Sequence, residues 1–140
     1  MNIGIVGCGN ISDTYFESQN IFKNIKITGC ADIIQELSNK KASKYNIKSY
    51  SINDLFKSED IDVILNLTIP SAHNEIIIKS LEYGKHCFSE KPLATNFEEG
   101  LHIQKKSKEK KLTIGCAPDT FLGAAGQKAR SLIENQEIGK

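Results

Sequence analysis

The residues most suited to chemistry open the chain. Gly7-Cys8-Gly9-Asn10-Ile11-Ser12 follows a short β-type run, Asn2 to Val6, and leads into a helical pattern. In a strand–turn–helix setting the two glycines have mechanical roles. Gly7 permits the tight turn, and Gly9 lets backbone approach a pyrophosphate with no Cβ in the way. The helix start then offers free N–H groups and a positive dipole end to the phosphates. The predicted phosphate contacts are Gly7, Cys8, Gly9, Asn10 and Ile11. Ser12 takes the third glycine position, where its small side chain still permits close helix–strand packing. The competing reading is a turn that needs glycines and nothing more.

Asp32 ends the second apolar run, close to the ~20-residue spacing of the acid that holds an adenosine ribose. A carboxylate there accepts hydrogen bonds from ribose hydroxyls and repels a 2′-phosphate. The next residues, Ile33, Ile34 and Gln35, bring no cation to neutralise such a phosphate. The expected cofactor is therefore NAD, with NADP less favoured. A simple strand-end acid is the alternative.

Positioning these groups requires alternating strands and helices. Runs at Asn2 to Val6, Ile25 to Ala31, Lys48 to Tyr50, Val63 to Thr68, His86 to Ser89 and Leu112 to Ala117 read as six strands. The near-continuous apolar character of Val63 to Thr68 points to a sheet covered on both faces. Between the strands lie helical segments. Asn10 to Gln19 is predicted to turn Ile11, Tyr15 and Phe22 inward, and the next helix Ile34, Leu37 and Tyr45. Ser51 to Lys57 opens with a Ser51/Asp54 capping box. Ser71 to Tyr83 carries Ile76, Ile77, Ser80 and Leu81, and ends at Gly84. Thr95 with Glu98 forms a second capping box for a helix running to Lys110, and Gly126 to Asn135 is the last helix. The predicted fold is α/β: a doubly wound parallel sheet of about six strands with helices on both faces, in one Rossmann domain over residues 1–140.

Composition narrows the partners. At 39% hydrophobic and 25% charged residues, the chain has the profile of a packed domain rather than a disordered one. A net charge of +1 gives no global field for nucleic acid or a membrane surface, so neither is an expected partner. The basic run Lys105 to Lys111 fits the C-terminus of a helix, where cations suit the dipole. No stretch reaches the ~20 apolar residues of a membrane span, and there is no basic n-region of a signal peptide. Cys8, Cys30, Cys87 and Cys116 form no C-x-x-C pair and no zinc spacing, so no metal site is expected. They read as buried thiols in a reducing cytoplasm, with a redox role for Cys8 as the alternative.

Together with Glu90-Lys91-Pro92, these segments resemble the glucose-fructose oxidoreductase / inositol dehydrogenase (Gfo/Idh/MocA) family over essentially the whole chain. The resemblance implies an N-terminal Rossmann domain followed by a larger α/β domain, which supplies much of the substrate pocket and the interface of a homo-oligomer. It identifies Glu90-Lys91-Pro92 with the family's E-K-P motif, in which the lysine lies beside the nicotinamide and the substrate hydroxyl and the glutamate reaches cofactor hydroxyls. Lys91 is thus the expected catalytic residue. Without the resemblance it reads as a surface lysine. Thr68 and His73 match the ends of the family's cofactor-lining T-P-N-x-x-H loop, which here runs Thr68-Ile69-Pro70-Ser71-Ala72-His73 with the proline moved one place and the asparagine gone. Thr68, Ile69, Pro70 and His73 are therefore expected on the cofactor side. His73 alone reads as a helix-start histidine. A cis Lys91-Pro92 bond would match the family. Gly115 to Gly123 resembles one branch of it, with Asp119 placed to face the cleft. Glu134 to Gly139 resembles the exit toward the second domain. The sequence ends at Lys140, and the expectation is an N-terminal half with little turnover by itself.

The implied activity is NAD-dependent hydride transfer to or from a CH–OH group of a sugar, polyol or related small molecule. The alternative is a non-catalytic NAD(H)-binding sensor.

Overall fold

In the computed structural model, residues 1–117 and 120–139 are described, so Asp119 lies outside the described residues. The predicted alternation forms in full. Its elements are β1 (Asn2–Val6), α1 (Ser12–Ser18), β2 (Lys26–Ala31), α2 (Gln35–Tyr45), β3 (Lys48–Ser49) and α3 (Ile52–Lys57). They continue as β4 (Val63–Asn66), α4 (His73–Glu82), β5 (His86–Ser89), α5 (Phe97–Lys110), β6 (Ile114–Cys116) and α6 (Ala124–Glu134). Short 3-10 turns at Pro70–Ala72 and Thr120–Leu122 precede α4 and α6.

The sheet order is β3-β2-β1-β4-β5-β6, and every neighbouring pair is parallel. The chain winds outward from β1 in one direction and from β4 in the other, so right-handed crossovers place helices on both faces. Two cores result. Ile3, Ile5, Val63 and Leu65 point to the face carrying Phe16 of α1 and Ala42 of α2. Val6 and Ile64 point to the opposite face, against Leu55 and Phe56 of α3, Ile77 and Leu81 of α4 and Ile103 of α5. The alternation along β4 is the two-residue period of a strand buried on both sides.

Several local expectations need correction. The buried residues of α1 are Ser12 and Phe16, whereas Ile11 is 46% and Phe22 59% exposed. The helix starts at Ser12 and ends at Ser18, so Phe22 lies beyond it. On α2, Ile34 and Leu37 face out, and the small residues Ser38 and Ala42 are buried instead. There the Cys30 thiol meets the Ser38 carbonyl at 3.4 Å, a closeness that leaves no room for longer side chains. The helix reaching Lys110 is capped by Asn96, whose side chain accepts from Glu99 N–H at 2.9 Å, and not by a Thr95/Glu98 box. Glu99 returns the contact by accepting from the Thr95 N–H and hydroxyl. The segment predicted as one helix from Ser71 begins with the Pro70–Ala72 turn, and α4 starts only at His73. The last helix starts at Ala124 rather than Gly126. β4 ends at Asn66, and β6 spans only Ile114–Cys116.

Other signals hold. Ser51 accepts from Asp54 N–H at the start of α3. Gly84 takes φ +74°, and the Gly84 and Lys85 amides close onto Leu81 and Ser80 carbonyls in a Schellman end to α4. No helix among the described residues is long and apolar enough to cross a membrane.

Candidate functional site

The site is built at the carboxyl ends of the strands, where the winding direction reverses between β1 and β4. Gly7 leaves β1 with φ +101°, a conformation that disfavours any side chain. A Cβ there would lie 2.6 Å from the Leu67 backbone, so the turn also needs glycine for space. Gly9 is different: a Cβ would meet nothing within 4 Å, and the position opens to solvent beside exposed Asn10 and Ile11. Ser12 is fully buried, its hydroxyl folded back onto the Gly9 carbonyl at 2.6 Å, which is how the turn accommodates a non-glycine third position.

Asp32 fastens this turn from the end of β2. Its Oδ2 accepts from Cys8 N–H at 2.7 Å and its Oδ1 from Ile34 N–H at 2.8 Å. The second bond is an Asx turn that aims the chain into α2. The Cys8 amide is thereby committed to Asp32, while its side chain is buried with the Sγ 3.7 Å from the Ala31 carbonyl. The hydrogen bond with the neighbouring Cys30 thiol, then burial, push the Cys8 thiol up. Burial pushes Cys87 up to about 12 and raises Cys116 as well. All four cysteines are free.

At the end of β4 a buried polar cluster organises the next loop. Asn66 is fully buried; its Oδ1 accepts from Thr68 N–H and Thr68 hydroxyl at 3.2 and 2.7 Å. Its Nδ2 donates to Ser89 Oγ at 3.1 Å. His73 is also fully buried, with Nδ1 2.6 Å from the Pro92 carbonyl and Nε2 3.0 Å from the Thr68 carbonyl. The ring thus spans the Thr68 loop and the loop after β5, and it lies behind the cleft wall rather than in it.

The loop after β5 carries Glu90 and Lys91, with a cis Lys91-Pro92 bond. Glu90 N–H extends the sheet pattern to the Asn66 carbonyl at 2.9 Å. The Glu90 carboxylate takes the Tyr15 hydroxyl on Oε1 at 2.5 Å and the Lys91 N–H on Oε2 at 3.0 Å. Lys91 itself is exposed.

Two clefts meet at Leu67 and Thr68. One, of about 390 Å³, is lined by Gly7, Gly9, Asp32 and Ile69 among others. The other, of about 580 Å³, is lined by Ile11, Tyr15, Pro70, Glu90 and Lys91 among others. Of the sequence-derived site residues, Gly7, Gly9, Ile11, Asp32, Thr68, Ile69, Pro70, Glu90 and Lys91 line these clefts, whereas Cys8 and His73 are buried and Asn10 is exposed on the turn outside both linings. The sequence reading passed over Tyr15, Asn66 and Ser89 as site residues. Asn66 carried a signal, a polar residue in the apolar run Val63 to Leu67. Tyr15 carried none, because its partner lies 75 positions away.

Residues 1–117 match the Gfo/Idh/MocA family, described as an oxidoreductase family with an NAD-binding Rossmann fold. The chain is 31% identical over 142 aligned residues to 2,7-anhydro-N-acetylneuraminate hydratase of Escherichia coli (strain K12), covering 100% of this chain and 37% of that protein. It is 22% identical to myo-inositol 2-dehydrogenase of Thermotoga maritima, covering 100% of this chain and 42% of that protein. Among solved structures, the WlbA dehydrogenase from Bordetella pertussis, in complex with NADH and UDP-GlcNAcA, superposes with a TM-score of 0.91 at 22% identity. That match covers 100% of this chain and 41% of that one, and it shows a shared fold. The chain thus spans about two fifths of the length of the relatives it matches.

Proposed function

This chain belongs to the Gfo/Idh/MocA oxidoreductase family, and from that premise we propose that it is the NAD(H)-binding domain of a dehydrogenase acting on a CH–OH group of a sugar, polyol or related small molecule. The observation that carries the proposal is the pair of clefts meeting at Leu67 and Thr68. One holds the glycine turn and Asp32, the other Glu90 and Lys91. A dinucleotide is an elongated ligand with a pyrophosphate between two nucleoside halves, and this surface has that order of chemistry.

The residues present fit the cofactor. Gly9 leaves open the space a side chain would fill, beside exposed turn backbone. Asp32, already oriented by two amides, presents its remaining lone pairs to ribose hydroxyls and its charge against a 2′-phosphate. That preference selects NAD over NADP. Leu67 and Thr68 line both clefts, Ile69 lines the Asp32 side and Pro70 the Lys91 side, and His73 holds Thr68 from behind. Cys8 contributes through its amide bond to Asp32.

A bound nicotinamide supplies the hydride acceptor or donor. The chain supplies the electrostatics for the oxygen of the reacting carbinol. As the hydroxyl proton passes to solvent water and the hydride to the nicotinamide, an ammonium at Lys91 would stabilise the negative charge on the carbinol oxygen, and in the reverse direction it would stabilise the same charge until water reprotonates that oxygen. Glu90 orients the Lys91 backbone and offers carboxylate lone pairs to cofactor hydroxyls. Lys91 on the cleft favours an enzyme over a binding sensor. The hydratase name of one relative favours a second reading, net addition of water on the same domain. Turnover that consumes no NAD⁺ would support it. The free thiols favour a reducing cytoplasm as the setting.

The test is a fluorescence titration of the chain with NADH and NADPH. Expected is tighter NADH binding by roughly 10- to 100-fold, the span of one charged hydrogen bond lost to repulsion. In Asp32→Ala the preference should collapse. Equal affinities in the wild type, or no binding, would refute the cofactor assignment.

A further inference from the structure

We propose that Tyr15 is a positioning residue of the dehydrogenase site. Its phenol, delivered by the helix that opens at the glycine turn, fixes the Glu90 carboxylate and through it the backbone of Lys91. The inference rests on the dinucleotide reading above, with the nicotinamide half on the Lys91 side.

Three observations carry it. First, the bond is short. At 2.5 Å the Tyr15 hydroxyl to Glu90 Oε1 contact lies at the tight end of charge-assisted O–H···O⁻ bonds. Second, the two bonds on the Glu90 carboxylate differ in kind. The Lys91 N–H bond is local and moves with the loop. The Tyr15 bond comes from 75 positions away, so among the described residues it is the bond that ties the carboxylate to another element. Third, the donor stands on a fixed base. Tyr15 packs against the core on the α1 face, and its neighbour Phe16 is fully buried and stacked on Tyr45 at 4.5 Å between ring centroids. The phenol is therefore a stationary reference on the wall of the same cleft that Glu90 and Lys91 line.

The consequence is specific. With the phenol hydroxyl present, the carboxylate has one orientation and its lone pairs face the cleft in a fixed direction. Without it, only the local amide bond remains, and the side chain gains rotamers at the cost of its contact with the cofactor. The phosphate turn and the loop bearing Lys91 then lose the one side-chain link described between them.

The experiment compares NADH with ADP, which carries the adenosine and phosphate groups but no nicotinamide half. In Tyr15→Phe, NADH affinity should fall by about 3- to 10-fold while ADP affinity stays within about twofold. In a Glu90→Ala background, Tyr15→Phe should cause no further loss of NADH affinity, because the bond it removes is already gone. Equal weakening of NADH and ADP would overturn the proposal, since a general distortion of the domain does that. Unchanged NADH affinity would overturn it too, as would additive losses in the double variant. So would a Tyr15→Phe chain without native circular dichroism, which would assign the hydroxyl to folding instead. Failure of the wild-type chain to bind either ligand would strike the dinucleotide reading itself, a result distinct from all of these.

Discussion

Gly7 and Gly9 are two residues apart and answer to different constraints. At Gly7 a side chain faces both an unfavourable φ and the Leu67 backbone, so the residue serves the fold. At Gly9 a side chain meets open space, so the fold tolerates it and only a ligand would object. Gly7→Ala should destabilise the chain by about 2–4 kcal/mol, read as a lower denaturation midpoint. Gly9→Ala should leave the midpoint nearly unchanged and weaken NADH binding at least about tenfold, by intruding where backbone meets pyrophosphate. A large loss of stability in Gly9→Ala with binding retained would reverse the assignment.

Between elements, a polar tie runs from α1 to α2. Asp13 Oδ1, in the first turn of α1, accepts from Lys41 Nζ at 2.7 Å, Tyr45 hydroxyl at 2.7 Å and Lys44 Nζ at 3.2 Å. Lys41, then Tyr45, hold the Asp13 carboxyl far below the usual carboxylate range. A carboxyl with a depressed folded-state pKa stabilises the fold fully above its unfolded value, near pH 3.9 for aspartate, and loses that contribution as pH falls below it. Asp13→Asn should therefore lower the melting temperature at neutral pH, and its gap from wild type should narrow progressively below about pH 4. Side-chain exposure of 40% at Asp13 means solvent screens part of the effect, so added salt should narrow the gap as well. A gap independent of pH would make the contact steric rather than electrostatic.

At the scale of the molecule, the winding reversal between β1 and β4 gathers strand ends that are far apart in sequence into one surface. Asp32 and Lys91 line the two different clefts that meet at Leu67 and Thr68, so the proposed binding and catalytic roles are separated in space. Lys91→Ala should accordingly leave NADH affinity of this chain within about threefold, while abolishing hydride transfer when the chain is part of an active enzyme. Retained transfer, followed by nicotinamide absorbance, would refute the catalytic role of Lys91.

The amino-acid order by itself determined the alternating elements, the glycine turn, the acid at the end of β2 and the Glu90-Lys91-Pro92 motif. Each is a local pattern: apolar periodicity, a turn residue that accepts positive φ, a polar residue at a strand end. It also placed the end of α4 at Gly84, because a Schellman end depends only on neighbouring amides and carbonyls. It placed Tyr15 and Tyr45 against the core, as found, and misjudged the rest of the buried faces of α1 and α2. Ile11, Ile34 and Leu37 are apolar enough for a core, yet the spacing between helix and sheet admits only Ser38 and Ala42 on α2, and on α1 the space opposite Tyr45 goes to Phe16. That spacing is a property of packed elements and has no local signature. The same holds for the site's internal order. The Asn66 cluster, the His73 bridge from Thr68 to Pro92 and the Tyr15–Glu90 bond join residues whose meeting depends on the sheet being wound. Side-chain identity decided what chemistry was on hand; only the tertiary structure decided which groups share a cleft.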